Sequence, residues 1–255
     1  FAAFASELAR SVDKQRLQRR ALEAEALARA DELRTALLRS VSHDLRTPLA
    51  GIKAAVSGLL QDDVTWTDED RHELLSLVDG ETDRLTSIVN NLLDLSRLQA
   101  GVVSARLDTC NLEDILVDAS SDPRFAGRIE YEGDVEVTVR SDPALLARVV
   151  GNLLENAVKW SPAGESVAVR VGVAPAHTSI SVIDHGPGIR DEHKPLVLKP
   201  FHRTGDTGHT DGLGLGLAIV DRLVSILGGR FDVTDSPGGG LTAVVTLPND
   251  REEFA

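Results

Sequence analysis

The first hundred residues hold one proline, Pro48, and three glycines in a background rich in Ala, Leu, Glu and Arg, a composition suited to long helices and little else. Their apolar residues say what kind of helices. Leu74, Val78, Leu85, Ile88, Leu92 and Leu95 recur at near-heptad spacing, one stripe along one helix. Upstream, Val41, Leu45, Pro48, Ile52, Val56 and Leu59 form a second stripe. The segment QDDVTWTDED between them breaks the pattern, with Thr67 as the N-cap before Glu69 and Asp70. Two long antiparallel helices with one apolar seam each cannot bury both seams alone. A dimeric four-helix bundle, two helices per chain, is the solution this pattern predicts. Further upstream, Leu8, Val12, Gln15, Arg19, Leu22, Ala26 and Leu33 follow an imperfect heptad, which predicts a coiled-coil entry helix over residues 1–30.

From about residue 108 the texture changes. Short β-rich runs appear at 135–139, 166–173, 178–184, 230–234 and 241–247. Helical stretches lie between them, notably 143–160 and 217–227, the latter closed by Gly228 and Gly229. This pattern predicts a mixed sheet with helices on one face, an α/β sandwich. The expected division is an entry helix at 1–30, a helical hairpin at 31–100, a linker at 101–107 with Gly101 ending the second helix, a sandwich domain at 108–248 and a tail at 249–255.

Charge and composition narrow the function. A net charge of −13 and a pI near 4.9 argue against a nucleic-acid surface. The single cysteine, Cys110, excludes an intramolecular disulfide framework and fits a reducing compartment. No apolar run approaches the roughly 18 residues of a membrane span, and no signal peptide is visible. The chain has no methionine and begins Phe1-Ala2-Ala3, so it reads as an internal piece of a longer protein whose sensor and membrane segments lie elsewhere.

Four segments carry chemistry. In SVSHDLRTPL, His43 lies two residues from both Val41 and Leu45, about 200° from each and so opposite the apolar stripe. Thr47 shares its face, with Asp44 adjacent and Arg46 at i+3. Such a polar cluster is ordinarily a solvated face. Pro48 argues otherwise, because a proline inside a helix costs about 3 kcal/mol and something should offset that. In NLLENAVK, Asn152, Asn156 and Lys159 share a helix face: amide oxygens suit a hard cation such as Mg²⁺, and a lysine suits phosphate. The bland alternative is an amphipathic helix with Asn on its polar side, although two Asn one turn apart are poor helix formers. In DHGPGI a carboxylate at a strand end is followed by glycines that permit close backbone approach; it can accept a proton from a base edge, and it can equally mark a plain turn. GLGLGLAIV sets Gly212, Gly214 and Gly216 before a helix, where backbone N–H groups can hold phosphate, but no Gly-Lys-Ser/Thr follows and it is not a P-loop.

Taken in order, SHDLRTPL, NLLENAVKWSP, DHGPGI, KPFHR, GLGLGL and GGGLTAVVTLP resemble the H, N, G1, F, G2 and G3 boxes of the sensor histidine kinases. The likeness covers residues 31 to 248, and six boxes in this order are highly specific. The wording around them most resembles the KdpD-type sensor kinases linked to potassium uptake. The resemblance implies a phosphoacceptor hairpin followed by an ATP-binding sandwich of the histidine-kinase, gyrase and chaperone type. It implies His43 as the phospho-accepting nucleophile, Asp44 as the group that orients or deprotonates it, and Thr47 as the residue that positions a water in the phosphatase reaction. ATP and Mg²⁺ are the implied cofactors. Asn156 would ligate the metal with the help of Asn152, and Lys159 would contact phosphate. Asp184 would bind the adenine amino group in a pocket shaped by Gly186 and Gly188. Trp160, where tyrosine or phenylalanine is common, would pack against adenine. Gly212, Gly214 and Gly216 would seat the triphosphate, with Thr242 from the last box and Arg203 from a lid spanning about 190 to 211. A homodimer and the receiver domain of a response regulator are the implied partners, in the cytoplasmic portion of a membrane-anchored bacterial protein.

One departure is Leu198, in a place that usually holds an aromatic; His185 and His202 add titratable groups near the pocket. Two other classes compete. A nucleotide-binding pseudokinase scaffold would signal by shape alone, but the intact His43, Asn156, Asp184 and glycines speak against it. A gyrase-like or chaperone-like ATPase would carry a catalytic glutamate where Asn152 stands, and Glu155 faces another side of the helix. Neither that class nor an anti-sigma-type serine kinase has a use for the hairpin bearing His43.

Overall fold

A computed structural model describes residues 41–61, 64–202 and 214–249, so the predicted entry helix at 1–30 and most of the tail lie outside the described residues. The chain forms two units, Phe1–Glu81 and Thr82–Ala255.

In the first unit, helix α1 is continuous over 41–59, and α2 begins at Asp68 on its way to Gln99. The two run antiparallel: a Cβ placed on Gly51 would meet the Glu81 side chain at 3.5 Å, and one on Gly58 would meet the Trp66 ring at 3.6 Å. Trp66 closes the connection by donating its Nε1–H to the Gly58 carbonyl at 3.1 Å. Thr67 caps α2 as its sequence predicts. The Asp70 N–H donates to the Thr67 hydroxyl at 3.1 Å, while the Asp70 carboxylate accepts from the Thr67 hydroxyl and N–H at 2.7 and 3.1 Å. These bonds hold the Asp70 carboxyl below the usual carboxylate range. The α1 stripe differs from expectation at one position: Val56 is exposed and Ala55 is buried. Counting from Pro48, steps of four and three reach Ile52 and Ala55, whereas Val56 lies eight residues on and has rotated about 80° off the seam.

In the second unit, α2 continues to Gln99, and the chain turns at Gly101, whose φ is +66°. Strand β1 (Asp108–Asn111) pairs antiparallel with β3 (Thr138–Ser141). Between them lie α3 (Leu112–Ala119) and β2 (Ile129–Gly133). Helix α4 (Pro143–Trp160) starts where Asp142 caps it, accepting the Leu145 N–H at 3.1 Å, with Pro143 in the first turn. Strands β4 (Val167–Ala174) and β5 (His177–Ile183), short helix α5 (Lys194–Val197), helix α6 (Gly216–Ile226), and strands β6 (Arg230–Asp235) and β7 (Leu241–Pro248) complete it. The main sheet has the order β2-β4-β5-β7-β6, parallel only between β2 and β4.

One face of this sheet is buried. Val167, Val169 and Val171 of β4, Ile180 and Val182 of β5, and Leu241, Ala243, Val245 and Leu247 of β7 alternate with less buried neighbours. Leu146, Val149, Val150, Leu153 and Leu154 of α4 and Ile219, Val220 and Val224 of α6 complete the core against that face. This is the predicted α/β sandwich. Of the elements above, β1, β2, α3 and α5 escaped the sequence reading. β1 and β2 are mostly exposed and only four and five residues long, β2 offering just Ile129 and Tyr131 between glutamates, and α3 is too short to show a period. The run at 135–139 becomes a strand only from Thr138, because Asp134 captures the Glu136 N–H at 3.2 Å in a local turn and the Leu112 N–H takes the Val137 carbonyl.

Candidate phosphoacceptor and nucleotide-binding sites

His43 sits on α1 with its side chain 79% exposed, and its Nδ1 lies 3.1 Å from Asp44 Oδ1. Its outward placement follows from the helical spacing. Asp44 does not share that placement: at 6% exposure it lies on the buried side, one turn before Pro48, and its Oδ2 has no hydrogen-bond partner. The outward cluster therefore contains His43, Arg46 and Thr47, while the carboxylate reaches His43 from the inner face. Thr47 donates its hydroxyl to the His43 carbonyl at 3.3 Å, a backbone group one turn earlier. Pro48 is buried and α1 continues through it.

The second site begins with Asp184, 4% exposed at the end of β5. Its Oδ1 accepts the Gly186 N–H and the Leu241 N–H, both at 2.9 Å, and its backbone N–H donates to the Leu241 carbonyl at 3.0 Å. One carboxylate oxygen is thus saturated by backbone, and the described residues give Oδ2 no hydrogen bond. The glycines around it are required. A Cβ on Gly186 would lie 2.9 Å from the Trp160 carbonyl, and Gly240, with φ +106°, presses its α-carbon against the Asp184 carbonyl. Gly188, at φ +70°, packs on Gly240 in turn. The His185 N–H donates to the Ser161 hydroxyl at 3.2 Å and ties this loop to the end of α4. Gly240, Leu241 and Ser161 were not singled out from sequence. The run of three glycines at 238–240 was the one available signal, and its partner is 57 residues away.

Helix α4 brings Asn152, Asn156, Lys159 and Trp160 together. Asn152 is buried and donates its Nδ2–H to the Arg148 carbonyl at 3.0 Å, which leaves its amide oxygen as an acceptor. Arg148 itself binds Asp94 at 2.8 Å and Asn91 at 3.2 Å. Asn156 Oδ1 accepts the Trp160 Nε1–H at 3.1 Å, and Lys159 Nζ lies 5.5 Å from the Trp160 ring centroid. Among the described residues no three His, Cys, Asp or Glu side chains converge on a metal. Two amide oxygens one helical turn apart are a neutral hard-donor pair, and they fit a magnesium ion that brings phosphate oxygens as its other ligands. Asp184, with one oxygen pinned and the other left to accept, fits a base amino group.

The remaining predicted residues divide. Thr242 lies opposite Ile183 in the β5–β7 register, next to the Asp184 loop, and its hydroxyl is 2.9 Å from that of Ser236. Gly214 accepts the Phe201 N–H at 3.1 Å, and α6 starts at Gly216 with no side-chain cap, so its first N–H groups remain for phosphate. Arg203, Gly212 and the second half of the predicted lid lie outside the described residues.

An exposed imidazole on a helical hairpin, followed by a glycine-framed carboxylate and an asparagine helix on an α/β sandwich, defines a class. Residues 33–101 match the His Kinase A (phospho-acceptor) domain and residues 141–251 match the Histidine kinase-, DNA gyrase B-, and HSP90-like ATPase family. The chain belongs to the sensor protein-histidine kinases. It is 40% identical over 259 residues to the sensor protein KdpD of Mycobacterium tuberculosis, a match covering 98% of this chain and 30% of that protein. It is 36% identical over 235 residues to the signal transduction histidine-protein kinase/phosphatase MprB of Mycobacterium sp., covering 88% of this chain and 45% of that one. The chain thus spans about a third of the KdpD relatives it matches. Its fold is like that of the Acinetobacter baumannii histidine kinase AdeS, with a TM-score of 0.59, 22% identity, and coverage of 82% of this chain and 98% of that one. ShkA, solved full-length in complex with AMPPNP, gives a TM-score of 0.56 at 29% identity, covering 83% of this chain and 45% of that one. Among the described residues no helix is long and apolar enough to cross a membrane.

Proposed function

We propose that this chain transfers the γ-phosphoryl group of ATP to His43 and from there to an aspartate on a response regulator, and that it also dephosphorylates that regulator. The observation that carries this reading is the His43–Asp44 pair: an imidazole exposed for attack whose Nδ1 is held by a carboxylate at 3.1 Å. With the proton on Nδ1 and donated to Asp44, the Nε2 lone pair is free to act as nucleophile. The new bond joins Nε2 to the γ-phosphorus, and the bond to the β–γ bridging oxygen breaks with its electron pair leaving on ADP. The Nδ1 proton stays in the hydrogen bond to Asp44, which offsets the positive charge developing on the ring. A carboxylate buried on one side and bonded to the ring on the other keeps this geometry without a solvation shell to rearrange.

On the nucleotide side, Asp184 Oδ2 accepts the adenine amino group while Oδ1 stays fixed to Gly186 and Leu241. Trp160 packs beside the base, with Gly188 and Thr242 completing the pocket. Lys159, Arg203 and the N–H groups from Gly212, Gly214 and Gly216 hold the phosphates. Asn156 and Asn152 hold magnesium, which offsets charge on the transferring group when bound. Thr47 positions the water that hydrolyses the phosphorylated regulator. Pro48, which removes an N–H one turn after Asp44, supports a helix that bends between the kinase and phosphatase arrangements.

Exposed Leu49, Leu75 and Leu77 on the hairpin, and Val89 and Leu93 further along α2, support a homodimer, since burying each gains roughly 1.5–3 kcal/mol. The likeness to KdpD sensor proteins supports a role in regulating potassium transport and placement on the cytoplasmic side of a membrane-anchored protein. Autophosphorylation with γ-labelled ATP and Mg²⁺ tests the reading. Acid-labile, alkali-stable label that disappears in His43→Gln is expected. Label that persists in the variant overturns the assignment of His43, and nucleotide binding without label points to the scaffold.

A further inference from the structure

A side-chain amide has two ends of nearly equal size, one an oxygen and the other an NH₂. Half a turn about its terminal torsion exchanges them at small steric cost. For a group meant to hold a cation the difference is decisive, because the wrong orientation aims two donors at the metal. Asn156 makes this choice through Trp160, one helical turn further along α4. The indole Nε1–H donates to Asn156 Oδ1 at 3.1 Å. An indole N–H is a donor only, so it can face the oxygen and never the NH₂. It engages one lone pair of Oδ1 and leaves the other.

Trp160 is itself held in place. A Cβ on Gly186 would lie 2.9 Å from the Trp160 carbonyl and 3.1 Å from its Cβ, so the Asp184 loop packs directly on this residue. Ser161, the next residue, is tied to the same loop through the His185 N–H at 3.2 Å. On the ring face, Lys159 Nζ lies 5.5 Å from the centroid, within the range of a cation–π contact. One indole therefore touches both the amide assigned to magnesium and the lysine assigned to phosphate.

We propose that Trp160 is a positioning residue for the metal: its N–H locks the Asn156 amide with the oxygen available to magnesium, and its ring steadies Lys159 beside it. This deepens the nucleotide-binding reading above and rests on it. It is distinct from packing against adenine, because packing needs only a flat ring, whereas orienting the amide needs the N–H.

The experiment measures ADP affinity of the whole chain by calorimetry, in EDTA and across a Mg²⁺ titration. Trp160→Phe keeps a ring for Lys159 and removes the N–H. Affinity in EDTA reads any packing lost against the base, and relative to that baseline the Mg²⁺ concentration giving half of the metal-dependent tightening is expected to rise about tenfold, as for loss of an outer partner of a metal ligand. Trp160→Tyr, which also lacks an N–H there, is expected to behave alike and serves if the first variant does not fold. In Asn156→Asp both terminal atoms are acceptors and nothing needs orienting, so adding Trp160→Phe to it should move the Mg²⁺ requirement by less than about twofold. An unchanged or lowered requirement in Trp160→Phe overturns the proposal, as does an equal loss in the Asn156→Asp background. A native chain whose ADP affinity ignores Mg²⁺, or an Asn156→Ala variant identical to it, instead overturns the nucleotide-and-metal reading together with this one.

Discussion

His43 meets its carboxylate partner in the next residue of the chain, whereas Asp184 meets Leu241 across 57 positions. The first site needs only that α1 be helical. The second exists only when β5 and β7 pair in one register, with Gly240 allowing the two backbones to close on each other. A site written in adjacent residues tolerates damage elsewhere but loses everything when its one nucleophile is changed. An assembled site spreads its dependence over residues that never touch ligand.

The sharpest break in this comparison is His43→Gln. Phosphorylation is expected to fall to background while nucleotide binding stays as it was, and a loss of both would mean the two sites are not separable. Next comes Asp184→Asn. The new side chain keeps an oxygen for the Gly186 and Leu241 amides but replaces the second acceptor by a donor, so the fold should persist. Nucleotide binding should weaken by about 2–3 kcal/mol, roughly 30- to 150-fold in Kd. Equal affinity would show that Oδ2 does not face the base.

Gly240→Ala sharpens the contrast from the structural side. At φ +106° and hard against the Asp184 carbonyl, an added methyl should destabilise the second unit by about 3 kcal/mol. That is expected as a lowered thermal transition and weakened nucleotide binding. The smallest effect is expected from Thr67→Ala, which removes the cap of α2 and should cost about 1 kcal/mol. Its pH dependence is informative. Asp70 is held below the usual carboxylate range by Thr67, so this stabilisation is present above the unfolded value near about 4. It is lost as pH falls through the lower folded value. The difference between the native chain and the variant should therefore be larger at neutral pH than in acid, where only the bond from the Asp70 N–H to the Thr67 hydroxyl remains.

Legibility followed the same division. Helix α4 was legible as the helical run 143–160, and α6 by Gly228 at its end, where φ is +75°. Strands β4, β5 and β7 read from apolar alternation because one face of each is buried. β1 and β2 were missed because they are four and five residues long and mostly exposed, too short for the single Ile129–Tyr131 alternation of β2 to stand out. In the sites, the outward placement of His43 followed from spacing alone. The burial of Asp44 did not, because a carboxylate gives no apolar signal and its position was visible only once the seam was seen to run through Pro48 and Ala55.

The sequence by itself determined the two-part organisation, the outward face of His43, the order of the motif segments and the Thr67 cap of α2. These are properties of neighbours along the chain, set by period, propensity and local hydrogen bonds. Only the tertiary structure decided that one oxygen of Asp184 is consumed by backbone, that three separate glycines frame that carboxylate, and that an indole faces the oxygen of Asn156. Those depend on strand register and on which atoms come within about 3 Å across distant segments, and a hydrogen bond at that range leaves no periodic trace in the order of residues.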